Sequence, residues 1–339
     1  MKKGRNSGPA VAKKTAKKRQ TFDEFFKSQY KKRWDALRAA MAADKASGEF
    51  KVALWNRFAP QADMEELMEG LEQVPTAVLR AFRPKERGTL IPPPQRDRFT
   101  TLPYYILDYA SVLVVEQLAV EPIHKVIDLC AAPGGKSVAI AQFLNAQGGA
   151  LLTANEMDFD RSKRLGRTLA DFLPKEASCP FEILQRDATR LHAPELYDRA
   201  LLDAPCSAER HLLSGAGGFD LNEWTPEYTA KMATTQKSLI VRAIEMLRIG
   251  GMMTYSTCSI SNEENDEVVK YALSHTRCGV ELVETKLRIG EPTELGWIIL
   301  PDVCDGAGPM YCATLRKTAK LRSQDDSEDE EDSSGSESS

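Results

Sequence analysis

The sequence predicts an α/β protein: an open sheet with helices on both faces, preceded by a small helical region. Two observations predict it. From residue 101 onward short apolar runs alternate with segments of helical periodicity, and strands separated by helices imply a largely parallel open sheet. Several of these runs end in an acid, a glycine pair or a cysteine, the place where such sheets bind ligands. Taken in order, residues 21–43 carry Phe22, Phe25, Phe26, Tyr30, Trp34, Leu37 and Met41 at helical spacing. Stretches 50–58 and 64–79 are expected to continue this helical region. Residues 83–103, with Pro84, Gly88 and prolines at 92–94, form an irregular linker. A helix is expected over 104–118, then strand 125–129, helix 136–143, strand 150–155, helix 161–172, and strands 181–185 and 199–203. Helix 226–247, broken by Gly250 and Gly251, leads to strand 252–256, helix 262–273, strand 280–283 and a last strand at 311–315. No internal repeat is found.

A chain of 339 residues suits one large domain, or one with a small accessory. No stretch approaches the ~20 apolar residues of a membrane span, and no apolar signal segment follows the basic N-terminus, so secretion is not expected. The seven cysteines, Cys130, Cys179, Cys206, Cys258, Cys278, Cys304 and Cys312, form no CxxC pair, and there are four histidines. Neither a disulfide framework nor a metal site is therefore expected. The net charge of −4 hides three blocks. Residues 1–20 hold eight basic side chains and no acid, and are expected to be a disordered basic arm. Residues 321–339 hold eight acids and Arg322, and are expected to be a disordered acidic tail, which leaves −5 for the body between them. The arm is the visible electrostatic handle for a polyanion, with a plain solubilising tail as the alternative.

The first strand of the sheet ends in DLCAAPGGK at 128–136. Small residues and paired glycines let the backbone approach a ligand before a helix begins. A nucleoside-triphosphate loop would need glycine where Cys130 stands, and the dinucleotide pattern GxGxxG is absent. The second strand ends at Asn155-Glu156, the distance downstream expected for an acid that accepts from ribose hydroxyls. Asp187 ends the third and could accept from an adenine amine. Together these acids suggest an adenosine-containing cofactor with no diphosphate requirement. The fourth strand runs into DAPCS at 203–207 and the fifth into YSTCS at 255–259. Buried cysteine usually just packs. Ser261 and Glu264, however, have the spacing of a capping box, which would put Cys258 just before a helix N-terminus, where amide dipoles favour thiolate.

With these residues the chain resembles the Sun-domain (NSUN/Fmu) family of RNA cytosine-5 methyltransferases. The resemblance runs from about residue 100 to 317 through DLCAAPGGK, NE at 155–156 with Arg161, DAPCS, YSTCS, ENDEVV at 264–269 and the closing PDVCDGAGPMYCATLRK. It implies a Rossmann-like methyltransferase sheet, mostly parallel with its last strand antiparallel, over 101–320, after an N-terminal helical region and linker over 21–100. In such sheets the fourth and fifth strands are neighbours, ~4.8 Å apart, so both thiols would enter one pocket with Asp203. The implied cofactor is S-adenosyl-L-methionine, lined by Cys130, Ala131, Ala132, Pro133, Gly134, Gly135, Lys136, Glu156, Arg161, Asp187 and Asp203. The implied catalytic residues are Cys258, which adds to C6 of cytosine, Cys206, which assists product release, and Asp203, which binds N3 or the exocyclic amine. Donation to N3 would need a protonated Asp203.

Cys206-Ser207-Ala208-Glu209-Arg210-His211 and Gly308-Pro309-Met310-Tyr311 look like the third and fourth animal members, which act on mitochondrial transfer RNA and small-subunit ribosomal RNA. The expected partner is thus RNA, ribosomal ahead of transfer RNA, with room for a protein that delivers it and no membrane. The expected compartment is the mitochondrion. The lysine-rich N-terminus resembles a nuclear signal equally well, so nucleus or nucleolus is the alternative. Arg83, Lys85, Arg87 and Arg96 offer the linker as an RNA path, against a merely solvated one, and Arg210 and His211 offer a phosphate contact against a local hydrogen bond. A DNA cytosine-5 enzyme using Pro205-Cys206 is disfavoured by YSTCS, a Cys–His protease using His211 or His192 leaves the strand-end acids unexplained, and a non-catalytic assembly factor does not need two intact thiols.

Overall fold

The computed structural model describes residues 20–43, 50–59, 64–86, 88–96, 101–146, 148–174, 179–214, 221 and 224–321. The basic arm and the acidic tail lie outside them, apart from residues 20 and 321. The first element, α1 (Phe22–Tyr30), opens with a capping box in which Thr21 accepts from the Glu24 amide and Glu24 reaches back to the Thr21 amide. A 3-10 turn joins it to α2 (Trp34–Ala42); Phe22, Phe25 and Phe26 of α1 close over Trp224 through rings at 5–6 Å, and Trp34 of α2 stacks on Phe26.

The next segments differ from the helical expectation. Residues 50–58 contain β1 (Lys51–Trp55), and 64–79 contain only a short α3 (Met64–Leu67) before β2 (Leu71–Gln73). The linker begins in β3 (Ala81–Pro84), and the helix expected over 104–118 starts as β4 (Tyr104–Asp108) before turning into α4 (Tyr109–Gln117). These strands form an antiparallel sheet of order β2-β3-β1-β4, so the N-terminal sheet reaches past residue 100. Burial explains the misreading. Residues 52–55 are all buried, so the alternation that marks a half-exposed strand is missing.

The parallel part of the second sheet is as expected, while its antiparallel edge holds two short strands, Glu291–Pro292 and Trp297–Ile299, that the sequence did not mark. The parallel part comprises β5 (Lys125–Asp128), β6 (Leu151–Asn155), β7 (Phe181–Leu184), β8 (Tyr197–Asp203) and β9 (Leu247–Thr257), in the order β9-β8-β5-β6-β7. Between them run α5 (Gly135–Ala141), α6 (Phe159–Phe172), the short α7 (Glu209–Leu213) and α8 (Pro226–Met246). After α9 (Asp266–His275), β10 (Cys278–Val283), β11 (Glu291–Pro292), β12 (Trp297–Ile299) and β13 (Met310–Leu321) complete an antiparallel edge, β13 lying against β9. The chain leaves β5 toward β6 and β7 and returns to β8 on the other side. The β5/β8 gap is therefore the switch point where a crevice opens at the strand ends.

The two sheets share a core. Val52 and Leu54 of β1 pack in one cluster with Val112 and Leu113 of α4 and Val138 and Ile140 of α5. Asn56 donates to the carbonyls of Leu102 and Phe172 and accepts from Gln142, joining the N-terminal sheet to the second layer. No helix among the described residues is long and apolar enough to cross a membrane.

Candidate active site

The turn after β5 is pressed between three neighbours. Gly134 caps α5 at φ +114°, a region that favours glycine, and a Cβ there would stand 2.9 Å from Thr168 Cγ2 of α6. At Gly135 a Cβ would stand 2.6 Å from the Tyr105 ring of β4. Asn155 ties the turn to the next two strands by donating to the carbonyls of Leu129 and Arg186. Arg161 donates to the Ala132 carbonyl at 3.0 Å and lies 3.3 Å from the Glu156 carboxylate, which accepts from the Asp158 amide. Asp187 accepts from the amide and the hydroxyl of Thr189, and that hydroxyl bond is the main reason its carboxyl sits below the usual range.

These residues wall a cavity of about 520 Å³. Of the expected cofactor residues, Cys130, Ala132, Glu156, Arg161, Asp187 and Asp203 line it. Ala131, Pro133, Gly135 and Lys136 face a second cavity of about 410 Å³ instead, and Gly134 faces neither. Met157 and Thr189 also line the first cavity. Neither belongs to a motif in the sequence, although Met157 follows Glu156 and Thr189 donates to Asp187. Lys51 of β1 and Asp108 at the end of β4 line the second cavity, so the N-terminal sheet supplies one wall. No motif in the sequence marked them.

Asp203 and Cys258 line both cavities. Parallel pairing sets Asp203 opposite Ser256, and the chain continues from these two residues to the cysteines. The sulfurs of Cys206 and Cys258 are 2.9 Å apart. The hydrogen bond to Cys258, then burial, pushes the Cys206 thiol well above its ordinary value. Either sulfur can donate in this contact, so the two thiols act as one hydrogen-bonded pair. Asp203 accepts from Lys136 at 2.8 Å and from the Ser256 hydroxyl at 3.0 Å. Beside the turn Asp128 is buried. One of its oxygens accepts from Ser137 at 2.6 Å and the other has no partner, and burial raises its carboxyl to about 7.

Three expectations change here. The helix after Cys258 starts at Asp266, not 262, so no capping box forms at Ser261, and Glu264 turns inward to Ser207, Ser259 and Gln236. A helix N-terminus therefore does not account for the reactivity expected of Cys258. Asp203 faces an ammonium, so its oxygens act as acceptors rather than as a donor to a base nitrogen. Arg210 is buried over the Phe50 ring and donates to the carbonyls of Gly306 and Gly308, which is the local-bond alternative and not a phosphate contact.

A parallel sheet with an antiparallel edge, cavities at its switch point and paired cysteines on adjacent strand ends define the methyltransferase-type α/β class. Residues 115–316 match the family described as 16S rRNA methyltransferase RsmB/F, and the chain belongs to that family. It is 32% identical over 243 residues to the 5-cytosine rRNA methyltransferase NSUN4 of Xenopus tropicalis, covering 66% of this chain and 59% of that one. It is 35% identical over 227 residues to the mitochondrial tRNA (cytosine(34)-C(5))-methyltransferase of Danio rerio, covering 63% and 60%. The chain thus spans about three fifths of the length of these relatives. In fold it is similar to the crystal structure of NSun6 from Pyrococcus horikoshii with SFG, at a TM-score of 0.70 and 20% identity, over 89% of this chain and 98% of that one.

Proposed function

We propose that this protein is an S-adenosylmethionine-dependent RNA cytosine-5 methyltransferase whose nucleophile is Cys258. The observation that carries this is the meeting of two thiols and one carboxylate at one cavity, with Asp203 and Cys258 on the wall it shares with a second. One cavity suits a nucleoside with an electrophilic methyl group, and the other suits a base drawn out of its stack. The residues at hand fit S-adenosylmethionine. Glu156 offers an acceptor to ribose hydroxyls, Asp187 one to an adenine amine, and the small residue Ala132 leaves room at the turn. When bound, that cofactor supplies a methyl group on a sulfonium.

The chain's own residues do the rest. The Cys258 sulfur bonds to C6 of cytosine, and the C5–C6 electron pair moves to C5, which becomes a nucleophile. Asp203, held by Lys136 and Ser256, accepts from the exocyclic amine and orients the ring. After methylation the C5 proton passes to a base, the Cys206 thiolate in this reading, while the C5–H electron pair restores the double bond and expels the Cys258 thiolate. Replacing each cysteine in turn tests the assignment. Cys258→Ala should abolish covalent capture of RNA, whereas Cys206→Ala should accumulate a trapped adduct visible as a shifted band on a denaturing gel. Exchanged outcomes would hand the nucleophile to Cys206, as in DNA-type enzymes.

We further propose ribosomal RNA as the substrate and the mitochondrion as the compartment. Support for ribosomal RNA comes from the likeness to NSUN4, and for the mitochondrion from the likeness to the mitochondrial protein of Danio rerio and from Glu209-Arg210-His211 after Cys206. Transfer RNA is the second reading, favoured by the likeness to the Danio rerio protein. Bisulfite sequencing of both RNA classes from cells lacking the protein separates the two, because only the true substrate loses a methylated cytosine.

A further inference from the structure

Directly behind the two thiols lies a buried group that the proposed reaction does not use. Glu209 and Glu264 are both fully buried, and they face each other across the hydroxyls of Ser207 and Ser259. These serines follow Cys206 and Cys258 in the chain, so the group lies between the two loops that present the sulfurs. The outer carboxylate oxygens are held by N–H donors. Glu264 accepts from the Ser207 amide at 3.0 Å and from Gln236 of α8 at 2.8 Å, and Glu209 accepts from the Ile260 amide at 3.1 Å.

The inner oxygens pose a counting problem. Two serine hydroxyls make four contacts to two carboxyl oxygens and also lie 3.3 Å from each other. Each hydroxyl has one proton to give. With both carboxylates ionised, at least half of the four contacts would set oxygen against oxygen with no hydrogen between them. Two like charges in a dry site add to that cost.

We propose that Glu209 and Glu264 hold one proton between them, and that this shared proton locks the loops carrying Cys206 and Cys258 into the register in which the sulfurs meet. Glu264, with the two N–H donors, keeps the charge, and Glu209 keeps the proton. Burial first, and the Glu264 charge second, raise the Glu209 carboxyl to about 7, and burial raises Glu264 as well. Among the described residues, the groups facing the pair add no cation. They are the two thiols, Tyr255 of β9 donating to the Glu264 carbonyl, Tyr228 and Gln236 of α8, and Tyr30 of α1 donating to the Ile260 carbonyl. Arg210, next in the chain, turns away to Gly306. The pair acts through the thiols and is a positioning device. Its purpose rests on Cys258 being the nucleophile, but its existence does not.

The test uses the full chain without RNA. An amide in place of either carboxyl supplies the missing proton permanently, so Glu209→Gln and Glu264→Gln should each fold and melt at or above the wild-type temperature at pH 8. The double substitution removes the last anionic acceptor and crowds two NH₂ groups together, so it should melt below both. Linkage fixes the pH window. An acid whose folded-state value is raised from 4.5 to about 7 binds its proton more tightly when folded, so wild-type stability falls as pH rises from 4.5 to about 7 and is level beyond. The melting difference between Glu209→Gln and wild type should therefore grow across that window and then stop growing. Iodoacetamide labelling of Cys206 and Cys258, followed by mass spectrometry, should show a rise near pH 7 in wild type that is absent from Glu209→Gln. A pH-independent melting difference, or a double variant more stable than either single one, overturns the shared proton. An identical labelling profile in both proteins overturns the link to the thiols. Absence of methyl transfer in the wild type would sink the reading of the site and leave these measurements untouched.

Discussion

At the residue scale the contact on which the site turns is that between Lys136 and Asp203. Burial by itself drives a lysine's pKa down. Here the Asp203 carboxylate outweighs burial, and the ammonium ends above its ordinary 10.5. A raised lysine adds stability that is complete below 10.5 and fades only as pH climbs past it, so the pair is intact across the physiological range. Lys136→Met keeps the length of the stem and removes the charge. It should cost about 1–3 kcal/mol in chemical denaturation, below a fully buried pair because Asp203 still reaches cavity water. Methyl transfer should fall at least about 100-fold, since an unheld carboxylate no longer orients the base. Wild-type activity in this variant would remove Asp203 from the mechanism. Asp203, Cys206 and Cys258 were legible from sequence because each lies at or just past a strand end, where open sheets put their chemistry. The Lys136 contact was not, because 67 residues separate the partners. Glu264 was misread for a physical reason: S-x-x-E satisfies the capping pattern locally, and only the tertiary neighbours Ser207 and Gln236 turn the side chain inward.

At the scale of elements, α1 and α2 brace the loop that follows Cys258. Gln29 and Tyr30 both donate to the Ile260 carbonyl, and Gln29 accepts from the Asn262 amide, so α1 grips the segment two residues past Cys258. The brace is anchored by Trp34, which is 1% exposed, stacks on Phe26 at 5.4 Å and donates to Asp23. Trp34→Ala should cost about 3–5 kcal/mol in denaturant unfolding, the range for deleting a buried large aromatic. It should also raise hydrogen exchange at Ile260 and Asn262, whereas a loss confined to α2 would show that α1 does not brace the loop. This helical pair was legible because its aromatic residues repeat at helical spacing over two helices. The antiparallel strands were not. Lys51–Trp55, buried for most of its length, and Tyr104–Asp108 are short apolar runs, and in such a run a strand and a helix segment look alike. The parallel strands escaped this ambiguity because motifs and helices bound them on both sides.

At the scale of the whole molecule the question is where the positive charge for RNA comes from. The body between the basic arm and the acidic tail carries net −5. The linker is a poor source, because Arg83 pairs with Glu72 and Arg96 with Asp171, each at 2.7 Å, and Lys85 shares a groove with Glu72 and Glu86. Such exposed pairs are worth under about 1 kcal/mol and phosphate can compete for them, but each leaves an acid beside the RNA that cancels the gain. Lys51 at the mouth of the second cavity is one charge. The eight basic residues of 1–20 are therefore the chief reserve. Each phosphate they neutralise on a single strand steepens the fall of log K with log salt by about 0.7, so full engagement of all eight would contribute about 6 to the slope. A chain starting at residue 20 should keep the melting temperature of the full protein, bind RNA more weakly at low salt, and lose at least about 2 from that slope in filter-binding titrations. An unchanged slope would mean that the arm never meets phosphate and that the folded body assembles its own basic groove despite its negative total.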